Sequence, residues 1–357
     1  MTPKIVFTGG GTAGHVTPNI ALIDALKSKG WAIDYIGSVN GIEKLMIQDI
    51  HIPYHEISTG KFRRYFSWKN FSDPFKVLLG IGQAIGLMRK IRPHVVFSKG
   101  GFVAFPVVFA AWLNRIPVLV HESDLTPGLA NRLSLPFATK ICVTFAAAKD
   151  NLKHKDKVEI TGTPIRPSLL NGSRERGLSL CNFNKDLPCI LVMGGSQGSV
   201  SLNQVVRDGL KLWCDRYQVI HICGKDKLDN TLKNQKGYCQ FEYVNSELPD
   251  VLAASDVVIT RGGANSLYEL LVLAKPHVVV PLSAKVSRGD QVQNANYFKN
   301  KGVSIVVNDD ELDTTKLLTA INEVTIASEI LVKKMKDLNI VSATDSIVAL
   351  LEEQVHV

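Results

Sequence analysis

The stretch IVFTGGGTAGHVTPNIALIDAL (residues 5–26) predicts a strand, a glycine loop and a helix in succession. An apolar run comes first, glycines follow at 9–11 and at 14, and apolar residues then recur at helical spacing. A similar stretch, ILVMGGSQGSVSLNQVVRDGL, occupies residues 190–210. Because a helix N-terminus offers backbone N–H groups to an anion, the sequence predicts an anion-binding loop in each half.

Short apolar runs alternate with helical patterns along both halves, which favours parallel sheets with crossover helices. The expected fold class is α/β, with two doubly wound Rossmann-like domains whose parallel sheets face each other across a cleft. We expect the domains at 1–163 and 164–357, because prolines and a glycine interrupt the pattern at TGTPIRPS (161–168). The last helix, at about 326–354, is a candidate to pack back on the N-terminal domain. We also expect a helix at 225–235 and turns at 171–187.

The composition is that of a globular protein, since 45% of the 357 residues are hydrophobic and 21% are charged. A net charge of +8 predicts an anionic partner, without choosing among nucleotide, nucleic acid and anionic membrane. No secretory signal opens the sequence, and no apolar run reaches the roughly 18 residues of a membrane span. The six cysteines fall mostly in apolar runs, which indicates reduced thiols.

The first glycine loop fits the pattern Gly-x-Gly-x-x-Gly of dinucleotide-binding proteins, and Asp34 follows twenty residues later. Asp34 lies inside its predicted strand, however, where it is poorly placed for a ribose, so we disfavour this interpretation. His15 begins the predicted helix, where the helix dipole disfavours the imidazolium by about 0.3–1 kcal/mol. A neutral imidazole there suits a general base, and the alternative is a capping or core histidine.

Further polar residues follow other predicted strands. HESDLTPGLANR (121–132) places Glu122 and Asp124 where they could bind sugar hydroxyls, and Asn131 could follow on the helix. The alternative is that Ser123 or Thr126 caps that helix, with Pro127 in its first turn. Lys99 lies in a Gly-Gly turn after another strand, and that turn could also be purely structural. In the second half, Glu269 in RGGANSLYELL could accept hydrogen bonds from a ribose diol.

Seven ordered motifs closely resemble the MurG family of glycosyltransferases across about residues 5–300. They are GGGTAGHVTP, SKGGF, HESD…PGLAN, GTPIR, MGGSQGS…LN, RGGANSLYEL and SRGDQ…NA. The resemblance implies the GT-B fold, with an N-terminal acceptor domain and a C-terminal UDP-sugar domain. It implies inverting transfer of GlcNAc from UDP-GlcNAc to the 4-hydroxyl of lipid-linked MurNAc-pentapeptide, in peptidoglycan synthesis. It also implies no cofactor, no protein-bound metal and no nucleic acid.

The same resemblance assigns roles to single residues. The catalytic candidates are His15, as the base for the acceptor hydroxyl, and Glu122. The donor-binding candidates are Thr12, Ala13, Gly14, Asp124, Arg166, Ser196, Val244, Ala264, Asn265, Ser266, Leu267, Tyr268, Glu269 and Gln291. The acceptor-side candidates are Lys99, Asn131 and Asn203. Asp124 stands where many members have Asn, and SRGDQ replaces DRQQ, which leaves the roles of Asp124, Asp290 and Gln291 less defined.

Three other functions stay open on the sequence. They are a different GT-B glycolipid glycosyltransferase, a UDP-sugar 2-epimerase of similar fold, and a nucleotide-binding module that is not an enzyme.

The segment 61–93, KFRRYFSWKNFSDPFKVLLGIGQAIGLMRKIRP, predicts contact with an anionic membrane. Basic residues near an anionic leaflet contribute about 1 kcal/mol each, and an apolar helix face adds burial. The membrane-contact candidates are Arg63, Arg64, Trp68, Lys69 and Phe75. The alternative is an amphipathic core helix with a solvated basic rim. We therefore expect a peripheral enzyme at the cytoplasmic face of the cell membrane, near other cell-wall enzymes.

Overall fold

The computed structural model describes residues 2–60, 69–195 and 197–355, and for residues 69–72 it describes the backbone alone. The chain forms two compact units. Unit 1 comprises Met1–Arg166 and Ser342–Val357, and unit 2 comprises Pro167–Val341.

Within its described residues, unit 1 contains a parallel sheet of seven strands in the order β3-β2-β1-β4-β5-β6-β7. The strands are β1 (Lys4–Thr8), β2 (Ala32–Ser38), β3 (Tyr54–Ile57), β4 (Val95–Ser98), β5 (Val118–Glu122), β6 (Lys140–Val143) and β7 (Val158–Ile160). The helices are α1 (Thr17–Ser28), α2 (Ile42–Asp49), α3 (Lys69–Ile91), α4 (Ala104–Leu113) and α5 (Leu129–Ser134). Helix α13 (Thr344–Glu353) completes the unit.

Unit 2 contains, among the residues described, a parallel sheet of six strands in the order β10-β9-β8-β11-β12-β13. The strands are β8 (Cys189–Met193), β9 (Gln218–Ile222), β10 (Tyr238–Phe241), β11 (Val257–Thr260), β12 (His277–Val279) and β13 (Ile305–Val306). The helices are α6 (Arg174–Leu180), α7 (Val200–Trp213), α8 (Leu248–Ala254), α9 (Ala264–Val272), α10 (Asp290–Asn300), α11 (Thr314–Ile326) and α12 (Ser328–Asp337).

The order of strands reverses beside the first strand of each sheet. β1 lies between β2 and β4, and β8 lies between β9 and β11, with all of these pairs parallel. Such a reversal leaves a crevice beyond the carboxyl ends of the two central strands, where ligands of doubly wound sheets bind. Both predicted glycine loops therefore follow the strand at which the reversal occurs.

The α/β fold with two parallel sheets is confirmed, but the expected helix at 225–235 is wrong. Only Asn230–Leu232 forms a short 3-10 helix. The side chain of Gln240 on β10 accepts from the Asp229 N–H at 3.0 Å and donates to the Asp229 carbonyl at 2.6 Å. Asp229 is also the N-cap of this short helix, since its side chain accepts from the Thr231 N–H, so the helical segment begins at Asn230 and not at 225.

Residues 171–187, expected to be turns, contain helix α6. Ser173 caps it by accepting from the Arg176 N–H, and Arg176 forms a 2.7 Å ion pair with Asp250 of α8. A Cβ at Gly177 would lie 2.1 Å from the Asp250 carbonyl oxygen, so α6 and α8 pack backbone to backbone. Contacts with α8 thus stabilise a helix that is too polar to predict locally.

The expected helix at 326–354 is two helices. α12 ends at Asp337 and α13 begins at Thr344, with Asn339 between them at a positive φ of 50°. Helix α13 packs against α1 and buries Ile347, Val348 and Leu351 in the core of unit 1. The exposed end of α13 adds a 2.8 Å ion pair between Glu352 and Lys29. Among the described helices, none combines the length and the apolar composition of a bilayer span.

We predict that Ile347→Ala lowers the free energy of unfolding by about 2–5 kcal/mol, because it leaves a cavity among fully buried side chains. Urea denaturation measures this loss. Ser346→Ala, one residue away on the exposed face of α13, is the control and should change stability by less than about 0.5 kcal/mol. Equal losses in the two variants would contradict the packing of α13 on unit 1.

Candidate functional site

The glycine loop of unit 1 lies against the turn that follows β4. The Gly10 N–H donates to the Gly100 carbonyl at 3.2 Å, and the Lys99 N–H donates to the Thr8 carbonyl at 2.9 Å. A Cβ at Gly101 would lie 2.0 Å from the Gly10 carbonyl oxygen, and Gly101 has a φ of +85°. Only glycine permits this approach, which brings the two loops together at the carboxyl ends of β1 and β4.

Glu43, near the start of α2, holds the glycine loop from the other side. Its side chain is fully buried, and its carboxylate accepts from the Gly11 N–H at 3.1 Å. It also accepts from the Ser38 N–H at 3.2 Å and the Ser38 hydroxyl at 2.5 Å. Glu43 was not among the residues predicted from the sequence, because no local pattern joins it to Gly11, 32 residues away.

His15 lies in a 3-10 turn, Ala13–His15, immediately before α1. The ring is half-buried, and its Nδ1 is 3.1 Å from the Thr12 hydroxyl. In the tautomer in which Nδ1 donates to Thr12, Nε2 carries the lone pair that can take a proton. Thr12, the residue of the glycine loop just before this turn, thus orients the His15 ring.

Three residues predicted from the 121–132 segment bind one another. Glu122 is 5% exposed, and its carboxylate accepts from the N–H groups of Asp124 at 2.9 Å and Gly128 at 3.1 Å. The Asn131 amide donates to Glu122 at 2.8 Å and to the His121 carbonyl at 3.3 Å. Burial and the nearby Asp124 raise the pKa of Glu122. These contacts order the turn after β5.

The buried Lys99 also contacts the end of β5. Its Nζ lies 3.0 Å from His121 Nδ1 and donates to the Ser123 hydroxyl. Burial lowers the pKa of Lys99 to about 8. Burial and the Lys99 charge hold the pKa of His121 well below its usual value, so the imidazole is neutral.

The glycine loop of unit 2 leads into α7, whose N-cap is Ser199. The Ser199 hydroxyl accepts from the Leu202 N–H at 3.3 Å and from the guanidinium of Arg261. Arg261 follows β11 and forms a buried 2.8 Å ion pair with Asp309. The pair fixes the N-terminus of α7, the predicted anion site. Arg261 and Asp309 were also missed, since 48 residues separate them and no local pattern joins them.

Asn203 of α7 supports the same loop from the inside. Its amide donates to the Cys223 carbonyl at 2.9 Å, and its oxygen lies 3.0 Å from His221 Nε2. A Cβ at Gly198 would lie 1.9 Å from that same Cys223 carbonyl oxygen. The turn after β9 therefore packs directly beneath the glycine loop.

The remaining predicted donor residues of unit 2 follow β10, β11 and β12. Helix α9 buries Ala264, Leu267 and Tyr268, while Asn265, Ser266 and Glu269 are half-buried. The Tyr268 hydroxyl donates to the Val341 carbonyl at 3.1 Å. The oxygen of Gln291 accepts from the Leu282 N–H at 2.9 Å, and Asp290 pairs with Arg288 at 3.4 Å. Val244 is half-buried just after β10.

The other predicted residues lie in unit 1 or outside the part of the chain that the structure describes. Thr12 is exposed, Ala13 and Gly14 are half-buried, and Arg166 is half-buried at the end of unit 1. Ser196, Arg63, Arg64 and Trp68 lie outside the described residues, as does the side chain of Lys69.

Solved structures share this fold of two parallel sheets, each with a glycine loop at its point of reversal. A crystal structure of Acinetobacter baumannii MurG shares it with a TM-score of 0.75 and 22% identity, covering 99% of this chain and 100% of that one. UDP-GlcNAc 2-epimerase from Neisseria meningitidis shares it with a TM-score of 0.68 and 15% identity, covering 98% and 100%. These likenesses establish the fold alone.

The family follows from the sequence comparisons. Residues 5–143 match the glycosyltransferase family 28 N-terminal domain, and residues 189–350 match the glycosyltransferase family 28 C-terminal domain. The chain belongs to glycosyltransferase family 28.

Two relatives carry one name, UDP-N-acetylglucosamine--N-acetylmuramyl-(pentapeptide) pyrophosphoryl-undecaprenol N-acetylglucosamine transferase. The relative from Legionella pneumophila (strain Paris) is 60% identical over 357 residues, which is 100% of this chain and 98% of the relative. The relative from Clostridium botulinum (strain Alaska E43 / Type E3) is 53% identical over 348 residues, covering 98% and 97%. The resemblance predicted from the seven motifs is confirmed.

We predict that Glu43→Ala destabilises the protein by about 1–3 kcal/mol, because it leaves the N–H groups of Gly11 and Ser38 without their buried acceptor. Urea denaturation gives the change in stability. Gln48→Ala, an exposed change on the same helix, serves as the control and should have little effect. If both variants unfold at the same urea concentration as the parent, Glu43 does not hold the loop.

Proposed function

We propose that this glycosyltransferase moves GlcNAc from UDP-GlcNAc to the 4-hydroxyl of MurNAc in a lipid-linked MurNAc-pentapeptide, and releases UDP. The observation that carries the proposal is the 60% identity, over all 357 residues, with a relative named for that transfer. The two glycine loops at the points of sheet reversal support it, because each presents backbone N–H groups where ligands of such sheets bind.

In this proposal His15 of unit 1 is the general base. The acceptor's 4-hydroxyl oxygen bonds to the anomeric carbon of GlcNAc, and the bond from that carbon to the diphosphate oxygen breaks. The hydroxyl proton passes to His15 Nε2, and the anomeric configuration inverts. The contact of Thr12 with Nδ1 favours this proposal, since it fixes the ring orientation and is compatible with the tautomer that a base requires.

Unit 2 is assigned the donor in this proposal. The N-terminus of α7, held by Ser199 and Arg261, would stabilise the charge that develops on the leaving diphosphate. Glu269 would accept hydrogen bonds from the ribose diol, Val244 would meet the uracil through its backbone, and the Gln291 amide would contact GlcNAc. The buried residues Ala264, Leu267 and Tyr268 would keep α9 in place beneath the nucleoside.

We predict different kinetic effects for the two key side chains. His15→Ala should lower kcat by roughly 10²–10⁴-fold, because it removes the base. Glu269→Ala should mainly raise the KM for UDP-GlcNAc, because a ribose contact is equally strong in the ground and transition states. Steady-state assays of UDP release with a lipid-linked acceptor measure both. His154→Ala, another half-buried histidine of unit 1, is the control and should keep parental rates.

Nucleotide binding separates the proposal from its alternatives. UDP and UDP-GlcNAc should raise the melting temperature of the protein, whereas NAD should not. UDP release that requires no acceptor would identify an epimerase, and stabilisation by UDP-GlcNAc without turnover of any acceptor would identify a binding module. Stabilisation by NAD alone would contradict the donor assignment.

We also propose that unit 1 binds the cytoplasmic surface of an anionic membrane through α3 and the segment before it. Phe75 is 73% exposed, Leu78 is 65% exposed and Leu79 is 58% exposed. Ala84 and Met88 on the same helix are buried, so its apolar residues divide between a core face and an outer face. Helix α4 packs on α3, and its Trp112 is also 48% exposed.

Replacing Phe75 and Leu79 together by serine should weaken binding to anionic vesicles by roughly 10-fold or more, because each side chain loses about 1.5–3 kcal/mol of apolar burial. Co-sedimentation at several salt concentrations measures this. Arg63→Glu, Arg64→Glu and Lys69→Glu together should also weaken binding and reduce its salt dependence. Leu212→Ser, on an exposed position of α7 in unit 2, is the matched control. If the serine variant and the glutamate variant both sediment with anionic vesicles as much as the parent does, the proposal is wrong.

A further inference from the structure

The side chain of Lys99 places an ammonium group inside unit 1. Its side chain is 1% exposed, and its Nζ touches two groups at the end of β5, the His121 imidazole and the Ser123 hydroxyl. A lysine is seldom buried without a compensating role, because removing the ammonium from water costs free energy. The proposed reaction makes no direct use of Lys99, so its burial requires another explanation.

The contact of Lys99 continues through His121 to a third loop. His121 is fully buried, and its Nε2 donates to the Gly162 carbonyl at 2.7 Å. With the ring proton on Nε2, Nδ1 is the acceptor for the Lys99 ammonium. The chain of contacts thus joins the turn after β4, the end of β5 and the loop after β7.

The loop after β7 has further contacts within unit 1. The N–H groups of Thr161 and Gly162 donate to the Val143 carbonyl at 3.1 and 3.2 Å. Thr163 shares a 2.8 Å hydroxyl contact with Thr144, and its carbonyl accepts from the Ala343 N–H at 3.1 Å. The Ile165 N–H donates to the Ser342 hydroxyl at 3.0 Å. Arg166 follows directly, so the direction of this loop decides where its guanidinium lies.

Four titratable groups surround the Lys99 ammonium. They are His121 and Glu122 of β5, Asp124 of the following turn and Cys142 of β6. The ammonium is the cation that offsets the carboxylates of Glu122 and Asp124, which are two residues apart. When the ammonium loses its proton, a buried charge is removed, which favours the fold as a whole, but the repulsion between those carboxylates within the 122–124 turn is less offset.

We propose that Lys99 is a positioning residue for the transfer reaction: its ammonium holds the 122–124 turn and, through His121 and Gly162, the 161–166 loop that carries Arg166. This inference rests on the proposed function. Lys99 also packs beneath the glycine loop, since a Cβ at Gly9 would lie 3.1 Å from Lys99 Cβ. Lys99 therefore contacts three loops at this edge of the sheet. Its ammonium binds the turn after β5 and, through His121, the loop after β7, and its Cβ packs against the glycine loop.

The pH dependence of activity tests the charge. The pKa of Lys99 is about 8, so the parent should lose kcat as pH rises through 8, because the ammonium is lost. Lys99→Met keeps the side-chain length and removes the charge. It should lower kcat by roughly 10- to 100-fold at pH 7, as expected for misplaced groups, and should show no further fall near pH 8. The KM for UDP-GlcNAc, a ligand assigned to unit 2, should change less than about twofold.

A second variant separates charge from hydrogen bonding. Lys99→Gln retains a donor for His121 Nδ1 without the charge, and it should follow Lys99→Met in its flat pH profile. Lys275→Met is the matched control. Lys275 is a buried lysine of unit 2 whose Nζ donates to the Ser255 carbonyl at 2.9 Å, and whose pKa is also lowered by burial. Its loss should leave the alkaline fall in kcat as in the parent.

Stability supplies a readout that does not need the transferase activity. An unfolded lysine titrates near pH 10.4, so between pH 8 and about 10.4 the unfolded chain binds more protons than the folded one. The melting temperature of the parent should therefore rise with pH across this window relative to that of Lys99→Met. If the parent shows this rise but transfers no GlcNAc, the proposed function is wrong, whereas the burial of the Lys99 ammonium is supported.

Two results would overturn the inference. One is a Lys99→Met enzyme with parental kcat and the parental alkaline fall. The other is loss of folding in both Lys99→Met and Lys99→Gln, seen by circular dichroism at 25 °C, since Lys99 would then serve the fold and not the reaction. A reduced kcat with a flat profile in the folded variants supports it.

Discussion

The close approach of backbone to backbone at the carboxyl ends of β1 and β4 governs the geometry of unit 1. Gly10 and Gly101 meet so closely that a single added Cβ at Gly101 would lie 2.0 Å from the Gly10 carbonyl oxygen. This contact can form only where two parallel strands end side by side and neither of the two contacting residues has a side chain. It fixes the path of the glycine loop, and through that loop the place of Thr12 and His15. Unit 2 repeats the device with Gly198 against the turn after β9.

Glycine loops of this kind have few side chains of their own to form stabilising contacts. Charged side chains from other segments supply those contacts. In unit 1 the carboxylate of Glu43 binds the loop, and Lys99 packs against it through its Cβ. In unit 2 the buried pair of Arg261 and Asp309 holds Ser199 at the start of α7. Breaking one member of such a buried pair leaves the other charge uncompensated, which costs more than the pair itself contributes. The loops are therefore held by side chains that are themselves hydrogen-bonded or ion-paired.

The polar residues near the loops thus fall into two sets. Glu122, Asn131 and Asn203 were candidates for ligand contact, yet each is at most 5% exposed and binds backbone or side chains of its own unit. His15, Glu269 and Gln291 are half-buried in turns or helices that follow the strands, and Gln291 also binds the Leu282 N–H of its own unit. Catalysis by preorganised groups needs both sets, because groups that act on a ligand must be held before it arrives.

The sequence by itself determined the α/β class, the two glycine loops and the family, because these depend on the order of neighbouring residues. The repeat of strand, glycine loop and helix at 5–26 and 190–210 is legible within about twenty residues. The sequence failed where distant segments decide the outcome. Helix α6 forms because α8 packs against it, and the expected helix at 225–235 is prevented by Gln240. Only the tertiary structure decided which polar residues support a loop and which face outward. Glu43 lies 32 residues from Gly11, and Arg261 lies 62 residues from Ser199. The sequence does not show whether a carboxylate or guanidinium supports a loop or faces outward, because its hydrogen-bond partners come from distant segments that only the fold brings near.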